Sequence, residues 1–519
     1  MNRRIHRRRY TAWLPMIRGL SSVIAGLRGW RADLAAFGFG ALSAAALPPV
    51  HLVPVLLVSV PALLALLNGA RGPAVAARRG FWFGFGLHLV GLYWITEAIL
   101  IEAARFWWFV PIAVPELAAV LASFIAAACA VARCAPAGWR RAMALAGAWV
   151  LADLARQFVA TGFPWNPWGS VWEFPGVAGD VFIQPAAWVG VHGLTLLTLL
   201  IAVTPALGLR WRVAGALLLG GWVAFGILRL RMPLPEPPAI NIVLVQGNVA
   251  EGQKWDRTMV DGIFDQYLAL TGQVAAKAGM GRYAVIWPET ASPFQLQTDS
   301  LARQMVAAAA RGAPALVGAV RFDTDDRPRN SLFALTAGGV VAGIYDKGHL
   351  VPFGEYSPAW FPLPLQVAPG GGFARGPGPR TLHVPGLPAL GPLICYEAIF
   401  PGEVVNRLDR PAWLVNITND AWFGNSTGPR QHLAAARLRA VEEGLPLLRA
   451  ANTGISAGFD SRGHELGRLG VNQAGTLTMS LPAALPATPF ARLGLIIPGL
   501  LAISILGLAF ARRRNAAGS

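Results

Sequence analysis

Apolar segments of nearly bilayer-spanning length crowd residues 34–230 and return once at 493–510, which constrains the fold more than any other feature of the chain. They run over 34–48, 51–68, 81–101, 108–131, 142–159, 181–209 and 213–230, then 493–510. Each approaches the ~20 residues with which a helix crosses hydrocarbon. The first is short, and Pro48-Pro49 blurs its end. A hydrophobic content of 54% with only 14% charged residues agrees with a membrane protein of about eight transmembrane helices.

Loop arginines test that count independently, because cytoplasmic loops are rich in Lys and Arg. With the N-terminus inside, the inner loops carry Arg71, Arg78 and Arg79, then Arg133, Arg140 and Arg141, then Arg210 and Arg212, and last Arg512 to Arg514. The outer loops around Pro48 and from Gln157 to Asp180 have no Lys or Arg, and the one near Glu102 has only Arg105. Arg229 and Arg231 are the exceptions. Seven crossings before the middle of the chain place 239–481 outside the inner membrane, which in a bacterium means the periplasm, with both termini cytoplasmic. The expected organisation is a basic flank over 1–33, seven helices over 34–238, a soluble domain over 239–481, and a final helix with a basic tail over 482–519.

A formal charge of +17 raises the question of a nucleic-acid partner. Counted by region, residues 239–481 hold about twenty Lys and Arg against about nineteen Asp and Glu, so the excess lies beside the apolar segments. That distribution marks topology and excludes a polyanion partner. Residues 1–31 are strongly basic without a cleavage site after a short apolar core, which reads as a cytoplasmic flank and not a cleaved signal. Three cysteines make no disulfide framework, and no metal-ligand spacing is present, so neither metal nor cofactor is expected.

Four polar residues, His88, Glu97, Glu116 and Asp153, fall within the apolar segments. Each is either a functional group or a side chain satisfied by a neighbouring helix. The loop Gly162-Phe-Pro-Trp-Asn-Pro-Trp-Gly169 suits the outer headgroup level, as part of a lipid entry surface or as an aromatic belt.

From Ala239 the pattern changes to short apolar runs separated by helix-like stretches. Strands are expected at 240–246, 283–287, 314–320, 331–336, 340–346, 390–395, 412–418, 446–451 and 455–460, and helices at 257–278, 298–311, 402–408 and 430–443. The pattern specifies an α/β domain and leaves strand order open. Residues 356–373 are too rich in Pro for a helix and too apolar for an ordinary exposed loop. Trp360, Phe361, Leu363 and Leu365 either dip into lipid, with Gly370 to Gly372 as a lid hinge, or pack on their own domain.

Three chemically different groups end three of these strands. Gly391-Pro-Leu-Ile-Cys-Tyr-Glu397 closes on a thiol, Tyr283-Ala-Val-Ile-Trp-Pro-Glu289 on a carboxylate, and Tyr345-Asp-Lys347 on an amine. A lone cysteine is ordinarily a small buried hydrophobe. A base and a cation beside it make an acyl-accepting nucleophile instead.

The segments Trp287-Pro-Glu289, Lys347-x-His-Leu-Val-Pro-Phe-Gly-Glu355 and Cys395-Tyr-Glu397 resemble the Glu-Lys-Cys site of the nitrilase superfamily, over roughly 239–481. Apolar segments on both sides, with Gly162-Phe-Pro-Trp165 in one loop, bring the chain nearer to the bacterial apolipoprotein N-acyltransferases. The resemblance implies an α-β-β-α sandwich and acyl transfer from a phospholipid, usually phosphatidylethanolamine, to the N-terminal S-diacylglyceryl-cysteine of apolipoproteins. It implies ping-pong catalysis by Glu289, Lys347 and Cys395, with Glu355, Glu397, Tyr396 and Trp255 at or near the site. Glu289, in an apolar cleft that raises its pKa, is expected to be the base. Lys347 and the Tyr396 N–H are expected to hold the oxyanion. A monomer is expected. Two rivals share these residues: a membrane-tethered amidase that hydrolyses a lipid amide, and a silent lipoprotein-binding protein that keeps the fold.

Overall fold

The computed structural model describes residues 22–101, 103–254, 256, 258–275, 281–359 and 372–511. The first seven apolar segments carry α1 (Gly29–Ser43), α2 (Leu56–Asn68), α3 (Pro73–Gly91), α4 (Val110–Cys134), α5 (Trp139–Phe158), α6 (Ala186–Ala202) and α7 (Leu209–Arg231). Among the described residues, three helical stretches are long and apolar enough to cross a membrane: Trp107–Cys134, Ala186–Ala206 and Leu209–Arg231. Val53–Asn68 and Ile496–Phe510 are apolar but shorter. Two expected segments are interrupted. The segment at 81–101 stops at Gly91 and resumes as the short helix Ile95–Leu100, and α6 bends where Gly190 takes φ 66°.

Small residues let these helices approach closely, as they do inside membranes. A Cβ on Gly80 of α3 would meet Cys129 Sγ of α4 at 2.7 Å, and one on Gly84 would meet Ala122 Cα at 2.9 Å. Cys129 is therefore a buried packing residue. The arginine loops gather at one end of the bundle, where Arg141 donates to Asn68 Oδ1 at 2.6 Å and Arg133 to the Ala70 carbonyl at 2.9 Å. Asp153 pairs through Oδ1 with Arg156 of its own helix at 3.3 Å, while its buried Oδ2 makes no hydrogen bond among the described residues.

The α/β domain builds two sheets. The first has the order β11-β1-β2-β3-β4-β5, from β1 (Asn241–Gln246), β2 (Tyr283–Ile286), β3 (Ala315–Phe322), β4 (Pro328–Leu335), β5 (Val341–Asp346) and β11 (Gly475–Ser480). The second has the order β10-β9-β8-β7-β6, from β6 (Leu390–Ile394), β7 (Trp413–Thr418), β8 (Leu447–Ala451), β9 (Ser456–Phe459) and β10 (Glu465–Leu469). Side chains alternate across a strand. Ile242 and Leu244 accordingly face the second sheet and pack with Ile394, Val415 and Ile417, while Val243 and Val245 face outward. There they meet α8 (Val260–Ala275) and α9 (Ser300–Ala309). Asp299 caps α9 by accepting from the Ala302 N–H at 2.9 Å.

Against the outer face of the second sheet lies α10 (Gly428–Glu443), completing four layers, α-β-β-α. The helix starts with Pro429 in its first turn and stops at Gly444, which takes the left-handed conformation at φ 66°. Its inner face, with Leu433, Ala436 and Ala440, packs on the sheet. Its outer face, with Leu438 and Val441, packs on the helical body. The eighth apolar segment, α11 (Ile496–Phe510), returns to that body beside α5.

Strands β1 to β9 fall where the apolar runs place them, whereas β10 and β11 were not anticipated. The helix expected at 402–408 is a series of turns. The tryptophans of the Gly162–Gly169 loop form no exposed aromatic belt: Trp165 is 3% exposed, and its indole donates to Gln431 of α10 at 2.9 Å. The proposed lid residues 360–365, Gly370 and Gly371 lie outside the described residues, as does Trp255.

Candidate active site

Strand ends deliver the expected groups to one buried place. Lys347, one residue past β5 and 1% exposed, sits 3.2 Å from Glu289 Oε1 and 3.0 Å from Glu355 Oε1. Asn330 on β4 donates to the same two carboxylates, at 2.6 and 2.9 Å. The Asn419 N–H, just past β7, donates to Glu289 Oε2 at 2.8 Å. A second lysine, the half-buried Lys254, donates to the Glu289 carbonyl at 3.1 Å and the Thr290 hydroxyl at 2.8 Å. Gly318 makes room for this strand end, since a Cβ there would strike Glu289 Cα at 2.8 Å.

These contacts correct the expected protonation of Glu289. Burial alone would raise its pKa, but Lys347, Asn330 and Lys254 hold it below the usual carboxylate value. Burial would likewise lower the Lys347 pKa, yet Glu289 and Glu355 keep it well above the ordinary value. The resting pair is thus a carboxylate and an ammonium.

Cys395 follows β6 directly and is buried. Its φ of 51° is left-handed, a conformation that costs a non-glycine residue on the order of 1–3 kcal/mol and persists only when its surroundings enforce it. Burial, with Glu289 and Asp420, pushes the thiol pKa up against the opposing pull of Lys347. The proton therefore rests on sulfur while an ionised carboxylate stands among the charges acting on it.

Glu397 holds the turn. Its Oε2 accepts from the Ile394 N–H at 2.7 Å, and its Oε1 accepts from Gly348 N–H at 2.6 Å and the Tyr345 hydroxyl at 2.7 Å. One side chain thereby ties the end of β6 to the segment carrying Lys347. Tyr396 points its side chain elsewhere, donating to the Gly162 carbonyl of the helical body at 2.8 Å.

Behind Cys395 lies a wholly buried cluster that sequence reasoning missed. His432 of α10 is 3.0 Å from the Cys395 carbonyl through Nε2. Its Nδ1 is 2.9 Å from Asp420 Oδ1 and 3.1 Å from Arg449 Nη2. Arg449 also pairs with Asp420 Oδ2 at 2.6 Å and donates to Asn416 Oδ1 at 2.5 Å. Burial and Arg449 lower the His432 pKa, and a neutral ring has one proton for two acceptors, the Cys395 carbonyl at Nε2 and the Asp420 carboxylate at Nδ1. Arg449 Nη2 donates to Nδ1, which puts the ring proton on Nε2 and leaves Asp420 Oδ1 held by the Thr418 hydroxyl at 3.0 Å.

Residues 39–204 match the model of the apolipoprotein N-acyltransferase N-terminal domain, and residues 245–487 match the carbon-nitrogen hydrolase model. An apolipoprotein N-acyltransferase of Bradyrhizobium diazoefficiens is 39% identical, over 94% of this chain and 96% of its own. The chain belongs to the apolipoprotein N-acyltransferase family. A second member, from Rhodopseudomonas palustris, is 36% identical over 95% of this chain and 98% of its own. Among solved structures, an amidase from Nesterenkonia sp. matches 48% of this chain and 93% of its own at 20% identity, with a TM-score of 0.37. The apolipoprotein N-acyltransferase assignment rests on the sequence matches and not on that superposition.

In this member of the family the structure brings Glu289, Lys347 and Glu355 into direct contact, places Cys395 within their electrostatic reach, and ties Glu397 to the backbone between them. Asn330, Lys254, Asn419, Asp420, His432 and Arg449 were missed. Only Asn419-Asp420 carried a usable signal, as polar residues directly after an apolar strand run.

Proposed function

We propose that the protein transfers an acyl chain from a phospholipid, phosphatidylethanolamine in the first instance, to the α-amino group of an S-diacylglyceryl-cysteine lipoprotein by ping-pong catalysis. The observation that carries this reading is the buried Glu289–Lys347–Glu355 cluster beside a strained Cys395, in a domain seated on an apolar helical body.

In the first half-reaction Glu289 takes the thiol proton as sulfur attacks the ester carbonyl. The C–S bond forms, the C–O bond breaks, and Glu289 returns the proton to the departing lysophospholipid oxygen. In the second half-reaction the amine attacks the thioester, the C–N bond forms and the C–S bond breaks. Its proton passes through Glu289 to sulfur. Lys347 and the Tyr396 N–H stabilise both oxyanions, an effect worth ~3 to 4 kcal/mol per donor. Glu355 and Glu397 orient the lysine and the nucleophile, and Trp255 takes the supporting role that the family resemblance implies.

The reading includes eight membrane crossings, with a basic flank over 1–33, a catalytic domain over 239–481 in the periplasm, a last helix and tail over 482–519, and a monomeric enzyme. Clustering of the arginine loops at the end of the bundle away from the catalytic domain supports this orientation. A membrane amidase would use the same residues with water as second acceptor. Lipid substrates on both sides of the reaction favour the transferase, because a dry cleft protects the thioester.

The test is to incubate the purified protein with phosphatidylethanolamine alone and measure its intact mass, with Cys395→Ser as control. One added acyl chain, released by hydroxylamine and absent from the control, is expected. No adduct from any phospholipid would overturn the reading. Turnover by water without an amine acceptor would point to the amidase.

A further inference from the structure

His432 meets the backbone carbonyl of Cys395, whereas Glu289 and Lys347 act on its thiol, and this one backbone contact of His432 is with the atom that sets the aim of the next peptide. The Cys395 carbonyl and the Tyr396 N–H belong to a single peptide unit. In a planar trans peptide they point in opposite directions. A donor gripping the carbonyl from behind therefore directs the N–H forward.

We propose that His432 is a positioning residue for oxyanion stabilisation: through its Nε2–H on the Cys395 carbonyl it aims and polarises the Tyr396 N–H at the developing oxyanion. The proposal rests on the reading of Cys395 as the acyl-carrying nucleophile. Three features of the cluster suit this task. His432 is wholly buried, so water does not compete for the carbonyl. Its ring is held from the other side by Arg449, which donates to Nδ1 and is itself paired with Asp420, both wholly buried. Finally, the peptide it grips begins at a residue held at φ 51°, which other contacts must keep in place.

Cys395 is fixed on its N-terminal side by Glu397, which accepts from the Ile394 N–H, and on its C-terminal side by His432 on its own carbonyl. Only the second contact touches the peptide that carries the oxyanion donor. Loss of His432 should therefore spare the thiol as a nucleophile toward reagents that form no oxyanion, and impair it toward acyl donors.

The experiment compares two reactions of Cys395 in full-length protein in detergent. Alkylation by iodoacetamide passes through no oxyanion. Acylation by a short-chain p-nitrophenyl ester does, and phosphatidylethanolamine is run in parallel. His432→Phe keeps a ring without the donor, and His432→Gln restores an N–H near the same place. Expected for His432→Phe is alkylation at the wild-type rate with acylation slowed about 10²-fold, as for a lost oxyanion donor. His432→Gln should recover most of the acylation rate. The proposal is overturned if His432→Phe acylates normally, if alkylation falls by the same factor as acylation, or if His432→Gln is no better than His432→Phe. Acylation of the wild type by the p-nitrophenyl ester but not by any phospholipid would sink the lipid reading alone, leaving the two variants to decide the role of His432. A wild type that neither reagent modifies at Cys395 would overturn both.

Discussion

Glu289 shows how neighbours can reverse what burial alone dictates. An isolated buried carboxyl gains a proton, whereas this one faces Lys347, Asn330 and a backbone N–H and stays ionised. The sign of its pH effect follows. A carboxylate whose folded pKa is depressed contributes stability above its unfolded pKa of about 4.3, and loses it as pH falls through the folded value. Activity that needs the ionised base falls over the same acidic window. Asn330→Ala removes one donor, so the Glu289 pKa rises and the acidic limb of kcat/KM against pH moves to higher pH. An unmoved limb in the variant would show that Asn330 does not set the base.

Gly318 of β3 extends the same logic to strands. The chain leaving β2 toward Glu289 crosses β3 where no side chain stands, with the Ser292 N–H donating to the Gly318 carbonyl at 3.0 Å. Gly318→Ala would push against the Pro288 carbonyl and Glu289 Cα, both backbone atoms, so the carboxylate itself must shift. Activity should fall at least about tenfold, on the ground that small misplacements of catalytic groups are costly. The domain should still unfold cooperatively, as circular dichroism melting would register. Nine strands were legible because both faces of each sheet are covered, which writes continuous apolar runs into the sequence. Strands β10 and β11 were not, since Glu-Leu-Gly-Arg-Leu and Gly-Thr-Leu-Thr-Met-Ser carry partly exposed polar residues and make no such run. The turn series at 402–408 deceived because Val404 and Val405 are buried at helix-compatible positions while Leu408 is exposed.

Between the sandwich and the helical body, contacts are charged as well as apolar. Arg437 of α10 pairs with Glu173 at 3.0 Å and Asp180 at 2.6 Å, and Asp180 also meets His464 at 2.8 Å. Arg437→Leu would strand the buried Glu173 and leave Asp180 with His464 alone, costing about 3–5 kcal/mol. It should lower the unfolding temperature in detergent and expose the junction to limited proteolysis, and unchanged melting would contradict this account. Gln431 is a second tie: its Oε1 accepts from Trp94, Trp165 and Asn166, and its Nε2 donates to the carbonyls of Pro48 and Gly91. None of these partners could be read from the sequence, because they join residues more than 250 positions apart. The strand-end groups could, because each is announced locally by the apolar run before it.

Gln431 and His432 are consecutive, and that adjacency has a consequence for modularity. One turn of α10 clasps three separate stretches of the helical body, and the very next side chain backs the nucleophile's peptide. Two family models divide the chain between residues 204 and 245, yet α10, wholly within the second, is packed on the body matched by the first. Cutting out the sandwich as a soluble fragment would bare the outer face of α10, strip Gln431 of its partners and loosen His432 with it. The catalytic half is not a detachable cartridge, because the helical body is one wall of its mould.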